Sequence, residues 1–299
     1  MADNGLVTEA GGDPVIGYET RTTLELVALM NDADATVPAA VAAAAPAIAE
    51  VVDEVAERLR EGGRLVYVGA GSSGMIAGLD AAECEATFSV PPGVVIALVA
   101  GGAGTAALAQ AEAEDDRDGG VRDLRALGVS PADAVVGISA SGSTLYVLGA
   151  LEKARDTGAF TACVVSAPHS PLGELVEREI AVVVGPEFLA GSTRLKAGTA
   201  QKLVLNTIST VSMIRLGKTY GNLMVDVAAA NEKLAARVRR IVATASGASQ
   251  QQVDDALAAA EGDARVAIVS LLAGIDASIA RQRLDRSERS IAAALELGE

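Results

Sequence analysis

The chain has 299 residues, half of them hydrophobic and only 2% aromatic, with no Trp and a formal net charge of −15. That supplies ample core for one large domain with an appendage. The charge repels nucleic acid and anionic membrane, and the scarcity of rings leaves little for base stacking. The two cysteines, Cys84 and Cys163, form no CxxC pair, and the single His169 stands elsewhere. A disulfide framework and a zinc site are therefore not expected, nor any bound metal. No stretch approaches the roughly 18 uninterrupted apolar residues of a membrane span, and Asp3, Glu9 and Asp13 are foreign to a secretory signal. The expectation is a cytoplasmic protein with reduced thiols.

In chain order, residues 1–20 show little periodicity and read as an irregular arm. Arg21 to Asp32 predict a short helix, and Thr36 to Arg60 a longer one with Pro38 in its first turn and Gly62-Gly63 after its end. Leu65 to Val68 predict a buried strand, Gly69-Ala70-Gly71 a turn, and Ser72 or Ser73 the cap of the helix that follows. Val94 to Val99 predict a second strand, and Gly104 to Glu114 a second helix closing in the charged run 115–120. Ala134 to Ile138, Thr161 to Val165 and Ile180 to Val184 complete five strands, with a helix running from the Ser139–Thr144 stretch to about Arg155. Near-continuous apolar strands alternating with helices predict an α/β fold: a doubly wound five-stranded parallel sheet, with ligands at the carboxyl ends of the strands. A long helix follows over Ala197 to Leu216, and Gly217 to Asn222 interrupts it before Asn231 to Ala243. Ser249 to Glu261, Ala264 to Leu272 and Asp276 to Leu284 predict a small C-terminal helical appendage. The expected organisation is N-terminal arm and helices at 1–60, an α/β domain at 61–245 and a helical region at 246–299.

Gly69, Gly71 and Gly74 satisfy the spacing of a dinucleotide fingerprint, which also requires an acidic residue ending the next strand. That strand ends in Val99-Ala100-Gly101-Gly102. A second hydroxyl-rich loop, Ser139-Ala140-Ser141-Gly142-Ser143-Thr144, stands in the same position after the third strand. Two serine-rich strand-to-helix turns suit one phosphate monoester better than a pyrophosphate, since helix N-termini attract anions without a lysine. The bland alternative is a pair of ordinary turns capped by serine. Glu83 stands out on an otherwise apolar helix projecting from the first loop, where partial desolvation suits a general acid. Its partner base lies among Glu112, Glu114, Asp115 and Asp116, between which spacing does not choose. Arg194, Lys196 and Lys202 gather at a helix start, where the dipole disfavours cations; this points to a ligand or an acidic partner.

Several blocks carry a resemblance: Asn31-Asp32 with Thr36-Val37-Pro38, the loop at 69–74, Leu79-Asp80-Ala81 with Glu83, and Ala113-Glu114-Asp115. The longest are Gly191 to Asn206 and Gly221 to Val227. Together they resemble the sugar isomerase (SIS) fold and, more narrowly, the N-acetylmuramic acid 6-phosphate etherases. The resemblance implies a cofactor-free lyase acting on a sugar phosphate, a homodimer with sites between subunits, Glu83 as the acid and Glu114 as the base. Candidate substrate- and phosphate-binding residues are then Gly71, Ser72, Ser73, Ser139, Ser141, Ser143 and Thr144, with Glu187 and Lys196. The chain departs from the family pattern at Met75 and Ser143, where arginines are usual. Two absent charge-assisted contacts, each typically about 1.5–3 kcal/mol, predict weaker binding of a doubly anionic substrate.

Overall fold

The computed structural model describes residues 17–102, 112–226 and 232–297. It divides into two compact units, Met1–Ala82 with Gly93–Ser209, and Glu83–Pro92 with Thr210–Glu299. The first holds helices α1 (Thr23–Asp34), α2 (Val37–Ala43) and α3 (Ala45–Arg60), then strand β1 (Leu65–Gly69) and helix α4 (Gly71–Phe88), which continues into the second unit. Strands β2 (Val95–Val99), β3 (Ala134–Ile138), β4 (Phe160–Val165) and β5 (Arg178–Ala181) alternate with α5 (Arg117–Leu127), α6 (Leu145–Asp156) and α7 (Pro171–Leu175). The five strands form one sheet, ordered β2-β1-β3-β4-β5 and parallel throughout, as the apolar runs predict.

Four expectations on the elements are corrected. Residues 36–60 are two helices rather than one, meeting at Ala44. Pro46 explains the break, because its ring removes an N–H and collides with the carbonyl a turn earlier. The charged run at 115–120 closes the helix that ends at Glu114, as expected, but it also opens another that was not expected: Asp116 accepts the Gly119 N–H at 2.8 Å and caps α5. Gly120 permits close packing there, since a Cβ on it would lie 2.0 Å from the Tyr146 carbonyl oxygen of α6. The fifth strand begins two residues earlier than predicted and ends at Ala181, because β4 stops at Val165 and the apolar run 182–184 outlasts its partner. Ser72 and Ser73 lie inside the first turn of α4, which starts at Gly71, and so do not cap it. The expected arm falls on residues 1–16, and most of the expected helix from Gly104 on 103–111; both lie outside the described residues, while Glu112, Ala113 and Glu114 are helical.

A core packs against one face of the sheet, with Val66, Val68, Val135, Val147, Leu151 and Val165 among its members. At the amino ends of the strands, Asp133 accepts from Arg64 Nη2 at 2.8 Å and Nε at 3.0 Å, and from the Ser130 N–H at 2.8 Å. Burial opposes charge on Asp133, but the Arg64 guanidinium and the N–H donors prevail and hold its carboxyl below the usual range.

The second unit contains a two-stranded hairpin, β6 (Thr219–Tyr220) and β7 (Leu223–Met224), where only a helix break was expected. It also contains α9 (Glu232–Ser246), α10 (Gln250–Ala259), α11 (Ala264–Ala273), α12 (Ala277–Arg286) and α13 (Ile291–Glu296); the last was not predicted. Helix α8 (Lys196–Arg215) precedes them. Side chains of Ser249, Asp263, Asp276 and Ser290 cap α10 to α13 in turn, so a polar cap marks each helix start. Val238, Val242, Val253, Val266, Ile268 and Leu284 form this unit's core.

Candidate functional site

The site is built from two turns leaving adjacent strands. After β1 the chain runs outward to β2 and then back across to β3, so strand order reverses between β1 and β3. Ligands of open parallel sheets bind at the carboxyl ends beside such a reversal. Gly69 pairs in register with Ile138, which places the first loop beside the second within one strand spacing.

In the first loop, Gly71 takes φ +51° and opens α4. Gly69 and Gly74 interlock: a Cβ on Gly74 would lie 2.7 Å from Val99 Cγ1 and 2.9 Å from the Gly69 carbonyl oxygen. Neither glycine can be larger without lifting the helix off the strand. Ser72 and Ser73 are half-buried in the first helical turn, where backbone N–H groups have no intrahelical acceptor. A phosphate suits that position, drawn by the helix dipole and by the serine hydroxyls.

The second loop is tied through its own hydroxyls. Ser139, only 3% exposed, contacts Thr144 Oγ1 at 2.9 Å and Ser141 Oγ at 3.3 Å, and accepts the Gly142 N–H at 3.1 Å. Ser141 accepts from the Ser143 N–H at 3.2 Å and the Ser143 hydroxyl at 3.0 Å. Thr144 donates to Glu114 Oε1 at 3.2 Å. Of the four acids that spacing could not separate, Glu114 is thus bound to this loop. Gly142, at φ +69°, packs against Ser170, and its carbonyl accepts the Leu172 N–H at 3.0 Å.

Glu187 and Lys196 meet at the start of α8. Glu187, 4% exposed, accepts the N–H groups of Lys196 and Ala197, each at 2.9 Å, and Lys196 Nζ donates to the Val184 carbonyl at 2.6 Å. Glu187 thus occupies the anion position of that terminus, bound to its backbone N–H groups. Lys196 is 6% exposed, with one of its three ammonium donors on the Val184 carbonyl, while Arg194 is exposed.

Asp80 is a buried carboxylate that periodicity alone does not expose. It lies buried on α4 and accepts from Tyr67 Oη at 3.0 Å and Ser209 Oγ at 3.1 Å. In the carboxamide orientation that satisfies both ends, Asn206 donates to Asp80 at 3.0 Å and accepts from Lys202 Nζ at 2.7 Å. Its signal was a carboxylate at a core position, three residues after Ala77 and four before Cys84, both buried.

Glu83 lies on α4 just beyond the division into units, and its side chain is exposed. The desolvation expected from its apolar neighbours is not met in the single chain, because Met75 and Leu79, on the same face at i, i+4 and i+8, are themselves exposed. Cys163 is wholly buried in β4; burial first, and then the Glu179 charge, push its thiol up to about 12. No cluster able to hold a metal occurs among the described residues.

A family model described as the glucokinase regulatory protein N-terminal SIS domain matches residues 47–155. An N-acetylmuramic acid 6-phosphate etherase of Streptomyces avermitilis is 51% identical over 290 residues, 97% of this chain and 93% of that one. Its counterpart in Rubrobacter xylanophilus is 53% identical over 279 residues, 93% of each chain. A third, from Mycolicibacterium smegmatis, is 47% identical over 99% of both. Among solved structures, a phosphoheptose isomerase from Francisella tularensis superposes with a TM-score of 0.52 at 22% identity, over 65% of this chain and all of that one. That likeness shows the sugar isomerase fold.

Proposed function

The chain belongs to the N-acetylmuramic acid 6-phosphate etherase family, and from that premise we propose a carbon–oxygen lyase in which Glu83 and Glu114 are acid and base. The substrate is N-acetylmuramic acid 6-phosphate and the products are N-acetylglucosamine 6-phosphate and D-lactate, a step of cell-wall amino-sugar recycling. The observation that carries the reading is identity near one half with etherases over almost the whole chain.

In the ring-opened sugar the C1 aldehyde acidifies the C2 proton. Glu114 removes it, the C3–O bond to the lactyl group breaks, and Glu83 protonates the departing oxygen. Water then adds across the resulting enal at C3, returning the proton to C2. The hydrogen bond from Thr144 to Glu114, beside a loop suited to phosphate, supports Glu114 as the base. The first turn of α4, with its free N–H groups and the Ser72 and Ser73 hydroxyls, takes the phosphate.

The working form in this reading is a homodimer in the cytoplasm. Exposed Met75 and Leu79 on the Glu83 face of α4, and Leu24, 79% exposed on α1, which buries none of its residues, are apolar positions for a second subunit to cover. By length and composition alone residues 23–43 would also cross a membrane. Asn31, Asp32 and Asp34 in mid-span, and the helix break at 35–36, favour the protein partner. Covering that face would also supply the desolvation that a general acid requires.

The test is incubation with N-acetylmuramic acid 6-phosphate in oxygen-18 water, following D-lactate and label at C3 by mass spectrometry. Lactate with labelled sugar is expected, and Glu83→Gln should lose turnover while still binding the sugar phosphate. Tight binding without lactate would replace the enzyme by a sugar-phosphate sensor. Full activity of Glu83→Gln would remove that residue from the chemistry.

A further inference from the structure

We propose that Thr144 is the positioning residue of Glu114, set in turn by a one-way chain of hydroxyls running from Ser143 through Ser141 and Ser139. The proposal rests on the reading of Glu114 as the base and deepens it.

Thr144 sits at the N-cap of α6, where a threonine hydroxyl ordinarily accepts a backbone N–H of the first turn. Here it makes no such cap bond. It turns outward instead and donates to Glu114 Oε1 at 3.2 Å. A usual structural purpose has been given up for a contact with one carboxylate.

The direction of every hydroxyl in the loop then follows from proton counting. An ionised carboxylate only accepts, and a hydroxyl has one proton and two lone pairs. Since the Thr144 proton goes to Glu114, the 2.9 Å contact between Ser139 and Thr144 must carry the Ser139 proton. Ser139 also accepts the Gly142 N–H, so its 3.3 Å contact with Ser141 carries the Ser141 proton and fills its second lone pair. Ser141 has both lone pairs taken, by the N–H and the hydroxyl of Ser143. Ser139 and Ser141 are thereby fully satisfied in one arrangement only, and the buried Ser139 fixes the Thr144 hydroxyl toward Glu114.

The chemical consequence is at the carboxylate. Glu114 is an exposed side chain with three rotatable bonds, free to sample many rotamers without a tether. The bond from Thr144 engages Oε1 and leaves Oε2 as the oxygen that takes the substrate proton. Oε1 still accepts after Oε2 is protonated, so the tether survives the transfer. Positioning of this kind acts on turnover rather than on substrate affinity.

The test compares Thr144→Val, which keeps the shape and removes the hydroxyl, with Thr144→Ser, which keeps the hydroxyl. Because no cap bond is lost, valine should fold normally; Thr144→Ala serves as a second hydroxyl-free variant. Expected is a fall in kcat of about 10- to 100-fold for Thr144→Val with KM within about threefold, and recovery to within about threefold of the parent kcat for Thr144→Ser. Ser139→Ala should lower kcat less, and should add nothing in the Thr144→Val background because it acts through Thr144. Glu114→Gln is measured alongside. An inactive Glu114→Gln with Thr144→Val or Thr144→Ala at parental kcat would overturn the tether while leaving the base assignment standing, as would a loss confined to KM. A fully active Glu114→Gln would overturn the base assignment itself.

Discussion

Gly142→Ala is the most informative single perturbation of this fold, because it separates a backbone cost from a contact cost. The residue holds φ +69°, where a side chain costs about 1–2 kcal/mol. A Cβ there would also lie 2.2 Å from Ser170 Oγ and 2.3 Å from Ser170 Cβ, far inside contact distance. Overpacking of that kind adds about 1–3 kcal/mol, so the expected loss is about 2–5 kcal/mol. Ser170→Gly removes both atoms of the collision. Although Ser170 caps α7 by accepting the Gly173 N–H, replacing a capping serine by glycine costs only a few tenths of a kcal/mol. The double variant should therefore recover the overpacking part and retain the backbone part, a coupling of about 1–3 kcal/mol. Urea unfolding midpoints at constant m-value measure it. Lactate release by the same proteins should fall with Gly142→Ala, since the loop carries Ser139, Ser141 and Thr144. A coupling of zero would refute the reasoning: the cost would then be backbone strain alone, and Ser170 would not hold the loop.

Two further predictions concern stability. Asp133→Asn removes an acceptor from the Arg64 and Ser130 donors and should cost about 2–3 kcal/mol, between the values for exposed and buried pairs because Arg64 reaches solvent. The folded carboxyl is held below its unfolded value of about 3.9, so its stabilisation is full above that pH and lost as pH falls toward the lower folded value; acid-limb unfolding should be shallower in the variant. Glu187→Gln puts an amide donor where two N–H groups need acceptors, and should lower the urea midpoint by the equivalent of about 1–3 kcal/mol. Unchanged stability in that variant would show that Glu187 does not cap α8.

The residues of this chain determined by themselves whatever depends on near neighbours. Apolar runs of four or five residues at 65–68 and 134–138, bounded by turn residues, are too short for core helices and read as strands covered on both faces, and their alternation with helices implies a parallel sheet. The two Gly-Ser loops were legible for the same reason, since turn chemistry is local. Pro46 and Asp116 carried local signals as well, of a helix break and a helix start. Tertiary structure alone decided which polar side chains meet. Thr144 and Glu114 are 30 residues apart, and Ser209 and Asp80 are 129 apart, and such bonds depend on how helices pack over the sheet. Periodicity assigns a residue to a face but not to a partner. Glu187 and Lys196 show the same limit: that the carboxylate lies on the start of α8 and that the ammonium reaches the Val184 carbonyl were decided by packing.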